Sequence, residues 1–181
     1  MKKITSAFFV FLGLGIFQIA LCAQDAPAAK DVKLSKGPKG METVETNKYT
    51  IEFPVGWAVG AETPWGARDI TPNVGPGRLG AMTAGPTKAG WDELYKTSLG
   101  FIKREEPGTE TSYRAGKTKQ GYDCMSFEVK NKAGFASRRY TLIRNVAGNV
   151  LALSIRIPSP EQEKHFVEMF KHMVETAKLK P

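Results

Sequence analysis

The stretch Phe135–Leu179 constrains the fold more than any other part of this chain. Ser137–Arg144 is rich in β-branched and aromatic residues (Tyr140, Thr141, Ile143), which suit a pleated strand. Asn145-Val146-Ala147-Gly148-Asn149 is a turn sequence. From Val150 to Ile157, the residues Leu151, Leu153, Ile155 and Ile157 recur every second position, so one face of a strand is apolar. Ser159-Pro160-Glu161-Gln162 then supplies an N-cap serine, a proline at the first helical position and a Gln able to close a capping box. The helix that follows is amphipathic as far as Lys178. Strand, turn, strand and capped helix therefore form one unit.

The opening residues read as an address. Lys2 and Lys3 precede an apolar run from Ala7 to Leu21, and Leu21-Cys22-Ala23 ends in a small residue. This is the pattern of a secretory signal peptide over residues 1–23. The run is too short to span a bilayer comfortably. A rival reading makes Cys22 a lipidated first residue, but Leu21 is larger than the residue that normally precedes a lipidated cysteine. Removing residues 1–23 takes two of the 26 Lys+Arg and none of the 18 Asp+Glu, lowering the formal charge from +8 to +6. It also leaves Cys124 as the one remaining cysteine, so no intramolecular disulfide is possible and stability rests on an ordinary core. Residues 24–46 are rich in Ala, Lys, Pro, Gly and Asp without apolar period, and read as a disordered linker. The folded domain is expected over 47–181, long enough for a single core.

Within that domain, Tyr49–Phe53 alternates as a half-buried strand ended by Pro54, and a short strand follows from Trp57 to Gly60. Glu62–Pro86 is dense in Gly and Pro and reads as turns, with one strand near Leu79–Ala84. Its glycines lack the Gly-Lys-Ser/Thr ending of a phosphate-binding loop. Trp91, Leu94, Tyr95, Leu99 and Ile102 fall on one face of a helix that ends at Lys103-Arg104. Thr109–Lys119 reads as a polar strand, and Gly121–Lys130 as another with Met125, Phe127 and Val129 on one face. The order predicts an α+β fold, with two helices against one antiparallel sheet.

Four constellations carry the functional question. Glu161, His165, Glu168, His172 and Glu175 form one stripe of the last helix. His165, Glu168 and His172 could bind a transition metal weakly. Phe166, Met169, Phe170, Met173 and Ala177 lie opposite, which makes the stripe a solvated face. Cys124 shares a strand face with Tyr122 and Ser126 and reads as an inert, buried thiol. The basic excess is spread over Lys103, Arg104, Arg114, Lys117, Lys119, Lys130, Lys132, Arg138, Arg139 and Arg144, mostly on the later strands and their turns; it suits an acidic partner or an anionic surface, or else guards a sheet edge. Trp65, between Pro64 and Gly66, is a candidate interface aromatic, whereas Trp57 reads as core. No hydrolase elbow, zinc spacing or dinucleotide fingerprint occurs.

Tyr49-Thr50-Ile51-Glu52-Phe53-Pro54-Val55-Gly56-Trp57 resembles the aromatic-x-Ile-x-Phe-Pro-x-Gly-Trp opening of PsbP-like domains. The strand Arg139–Arg144, the Gly148 turn, the strand to Ile157, the proline-bearing cap and the last helix resemble that family's ending. The resemblance implies an α/β/α sandwich with a central antiparallel sheet, a fold shared with a nuclear Ran-binding protein and exported bacterial proteins. Members are mostly accessory proteins that bind other proteins, with no shared catalytic set. The chain is therefore expected to be an exported, periplasmic or secreted, non-enzymatic protein without a cofactor. Its expected partner is a protein with an acidic surface, met through Trp65, Arg138, Arg139 and Arg144. The alternative is a periplasmic small-ligand or metal-binding protein. Nucleic acid is not expected as a partner, peripheral membrane contact stays open, and oligomeric state is not legible.

Overall fold

A computed structural model describes residues 33–37, 40–64, 66–72, 76–105 and 109–181. The signal peptide expected over residues 1–23 lies outside them. The chain builds two antiparallel sheets and two helices. The smaller sheet joins β1 (Lys33–Lys36), β2 (Met41–Glu45) and β3 (Tyr49–Pro54) to the closing strand β12 (Lys178–Leu179), in the order β1-β2-β3-β12. The larger sheet contains β4 (Trp57–Val59), β5 (Ala67–Pro72), β6 (Arg78–Ala84), β7 (Thr109–Glu110), β8 (Arg114–Lys117), β9 (Asp123–Lys130), β10 (Ala136–Arg144) and β11 (Val150–Arg156). Its order is β4-β5-β6-β11-β10-β9-β7, with β8 also against β9. Helix α1 (Trp91–Glu105) follows β6, and α2 (Glu163–Thr176) follows β11.

The hairpin at the centre of the larger sheet forms as its residues dictate. Gly148 takes φ +87 and donates to the Asn145 carbonyl at 3.0 Å, while Asn145 Oδ1 accepts from the Asn149 N–H at 3.0 Å. A side chain at Gly148 would also meet the Thr87 carbonyl oxygen at 3.0 Å. The turn thus needs glycine both for its φ and for its close neighbour. Alternation along β11 then splits the interior in two. Leu151, Leu153, Ile155 and the following Ile157 enter a large core with Tyr49, Ile51 and Phe53 of β3 and Phe166, Met169, Phe170 and Met173 of α2. Val150 enters a smaller core with Leu142, Met125, Phe127 and Val129, against which Trp91, Leu94, Tyr95 and Leu99 of α1 pack. Each fully buried side chain of this size contributes about 1.5–3 kcal/mol. The architecture is α+β: a central antiparallel sheet with α1 on one face and α2, joined by the smaller sheet, on the other.

Several boundaries differ from the sequence reading. The segment expected as a disordered linker carries β1 and β2, and the ordered domain begins before residue 47. Val44, opposite Ile51, is fully buried, and Thr46 closes the turn into β3 by accepting from the N–H groups of Lys48 and Tyr49. A single apolar anchor in a polar strand leaves almost no periodic trace. Strand β5 was hidden because its core-facing Arg68 breaks the apolar pattern. The polar run 109–119 divides at Thr111, whose hydroxyl accepts the Glu128 N–H at 3.0 Å. The last helix opens with a 3-10 turn, Pro160–Gln162, and Ser159 makes no side-chain cap bond to the backbone. Its hydroxyl instead hydrogen-bonds Glu161 and holds that carboxyl below its ordinary range.

Candidate functional site

The four expected docking residues separate in the structure. Trp65 lies outside the described residues. Arg139 is a brace: it meets Glu128 Oε1 at 2.7 Å and Glu163 Oε1 at 2.8 Å, tying β9 through β10 to the first turn of α2. Arg144 donates to the Ala89 carbonyl at 2.8 Å and lies 4.3 Å from the Trp91 ring centroid, clamping the start of α1 to the sheet. Both guanidiniums therefore serve intramolecular contacts. Arg138 donates to the Tyr140 hydroxyl at 3.2 Å and occupies a different setting.

The expected metal stripe is not assembled either. His165 and Glu168 are exposed, and His165 turns its ring edge-on to Phe166. His172 joins Glu52 of β3 at 2.7 Å and so pins α2 to the smaller sheet. Among the described residues, no three His, Cys, Asp or Glu groups are placed to hold a metal ion. The reason is geometric: residues seven apart on a helix stand about 10.5 Å apart along its axis, too far to share an ion with bonds of about 2 Å. Cys124 is half-buried and packs against the larger core. Burial, and then the neighbouring Asp123, push its thiol up from the ordinary value. Both favour the thiol over the more reactive thiolate.

A different group emerges from strand register. Arg138 stands opposite Arg156, and Arg156 opposite Arg78. Adjacent strands lie about 4.8 Å apart and cross-strand partners share a face, so β10, β11 and β6 carry three arginines in one transverse row. An acid stands at each end. Glu110 is opposite Val129, which is opposite Arg138, and Asp69 accepts from Arg78 Nε at 2.8 Å and also from its Nη2. Arg156 stands between Arg138 and Arg78.

The row borders a cleft of about 490 Å³ at the end of the larger sheet. Arg78, Lys130 and Arg156 line it with Phe135, Ser137 and Ile157, and none of its described lining residues is acidic. Two backbone features shape it. The register shifts between Ala136 and Arg138, leaving Ser137 as a bulge whose carbonyl accepts from the Ile157 N–H at 2.8 Å. Gly77, with φ +136, lets the chain run against α2, since a Cβ there would stand 2.6 Å from Phe166 Cε1. Arg78 and Arg156 were not singled out from the sequence. Only the pairing of strands far apart along the chain makes them neighbours.

No family model matches the sequence, and neither does any curated protein. Among solved structures, the fold is similar to the solution structure of cyanobacterial PsbP (CyanoP) from Synechocystis sp. PCC 6803. The two align with a TM-score of 0.56 at 11% sequence identity, over 90% of this chain and 99% of that one. With the order of strands and helices described above, this chain has a PsbP-like fold.

Proposed function

We propose that this protein is an exported, non-enzymatic accessory protein that binds an acidic protein partner at the cell envelope. The docking face is the arginine-bearing end of the larger sheet. One observation carries the reading: Arg138, Arg156 and Arg78 occupy register-neighbouring positions beside a cleft that adds Lys130 and no described carboxylate. An anionic partner would be steered in by the field of these cations. Guanidiniums also suit such a partner, because each can grip a carboxylate with two parallel hydrogen bonds. Export rests on the leader-like residues 1–23, and the accessory role on the resemblance to PsbP-like domains. No helix among the described residues is long and apolar enough to cross a membrane.

The test is a pull-down from envelope extract with tagged 24–181 beside the triple variant Arg78→Ala, Arg138→Ala, Arg156→Ala. A protein retained by the first, lost from the second and released as salt rises supports the reading. Equal retention by the folded variant removes it. Fractionation of the full-length protein tests export separately.

A further inference from the structure

We infer that the cleft receives an extended segment of the partner in which acidic residues flank a large apolar side chain. This rests on the docking face proposed above and adds the chemistry of what enters it. The cleft is two-sided in character. Lys130, Arg156 and Arg78 supply the cations, Arg78 from a half-exposed pair with Asp69, while Phe135 and Ile157 supply apolar wall. Its volume of about 490 Å³ falls within the range of 300–1,000 Å³ usual for recessed binding sites, and exceeds the space a bare carboxylate fills. An anion with an apolar body uses both surfaces, because burying the body excludes water from the ion pairs and strengthens them.

The partner's backbone also has a fit. Carboxylates two residues apart in an extended segment lie about 6.6 Å apart on one side, with the intervening side chain on the other. Arg156 and Arg78 stand on adjacent strands with long flexible stems and can span that interval once Arg78 exchanges its exposed Asp69 pair for the partner's carboxylate, an exchange that costs little at a surface. A lipid surface fits less well. Among the described residues, the exposed large apolar side chains are Leu34, Val55, Met82 and Val146, which belong to four different elements or turns.

The experiment is fluorescence anisotropy with purified 24–181 at low salt. The probes are three fluorescein-labelled peptides: Glu-Glu-Phe-Glu-Glu, Glu-Glu-Gly-Glu-Glu and Gln-Gln-Phe-Gln-Gln. The first should bind saturably, and each of the others about tenfold more weakly. Ser137→Trp fills the cleft without altering a cation, and should weaken the first peptide about tenfold with unchanged circular dichroism. Arg156→Ala should do the same. If Ser137→Trp binds as the wild type does while Arg156→Ala fails, the docking face stands and the cleft is not its receptor. If the Phe and Gly peptides bind alike, the apolar half of the inference is wrong. If the wild type binds none of them, the inference falls, while the pull-down judges the docking face on its own.

Discussion

Arg68 is a charged residue doing the work of a core residue. Its side chain is 1% exposed, and its Nη1 donates to the Gly60 carbonyl at 2.6 Å. Nη2 reaches Glu62 at 3.4 Å, and Glu62 also takes Lys48. One buried guanidinium thus fixes the loop that joins β4 to β5. Removing a buried ionic partner is costly because the other charge is stranded. Glu62 is 22% exposed and keeps Lys48, so the loss belongs at the low end of that range. We expect Arg68→Ala to lower unfolding free energy by about 3 kcal/mol, read from urea melts at constant m-value. A loss under about 1 kcal/mol would mean that the loop holds by other contacts. Nothing local announces such a residue. In sequence, a buried arginine and a surface arginine look alike, which is why both Arg68 and the strand around it were missed. Arg156 is hidden in the same way: the apolar face of its strand repeats every second residue, while the polar face carries no period that marks it.

Elements with a strong period were legible, and those held by single contacts were not. The β10–β11 hairpin, α1 and α2 repeat their apolar residues at the spacing of strand or helix, and burial is proportional to that repetition. What the period cannot show is how a polar side chain fastens one element to another. Arg144 is the clearest case. It was expected to face a partner, but its bond to Ala89 and its place over Trp91 make it the clamp at the start of α1. Arg144→Ala should therefore cost about 1–2 kcal/mol, the sum of one hydrogen bond and one cation–π contact. It should leave peptide binding at the cleft unchanged; reduced binding with unchanged stability would restore its docking role. Acid should act on two surface ion pairs. Lys180 holds the Glu45 carboxyl below its ordinary value of 4.5, and Lys117 holds Asp123 below 3.8. A depressed folded pKa means that the stability is present above the unfolded value and is lost as pH falls through the folded one. Melting temperature should thus hold steady above about pH 5 and fall below about pH 4. Glu45→Gln with Asp123→Asn should flatten that decline. An unchanged acid slope in the double variant would place the titrating groups elsewhere.

At the scale of the molecule, the question is where the domain begins. Composition placed the boundary at residue 47, because residues 24–46 show no apolar repetition. Yet β2 closes one side of the large core with a single residue: Val44 is 0% exposed, and its register partner Ile51 packs in the same cluster. Thr46, 3% exposed, then locks the turn. Strand β1 differs, for all four of its residues are exposed and it only extends the sheet edge. The two segments should therefore separate on truncation. A chain begun at residue 40 should melt within a few degrees of one begun at 24. A chain begun at 47 should lose about 1.5–3 kcal/mol for Val44 alone, and more for the strand pairing removed from β3. For a domain of this size each kcal/mol shifts the midpoint by about 2–8 °C, so the second truncation is readable by a simple thermal scan. Equal melting of all three chains would show that β3 does not need its neighbour. A large loss already at residue 40 would show that β1 shields the sheet edge despite its exposure. The proposed docking face lies on the other sheet, so the chain begun at 40 should also bind the acidic peptide as the longer one does, separating the fold's own requirements from those of the cleft.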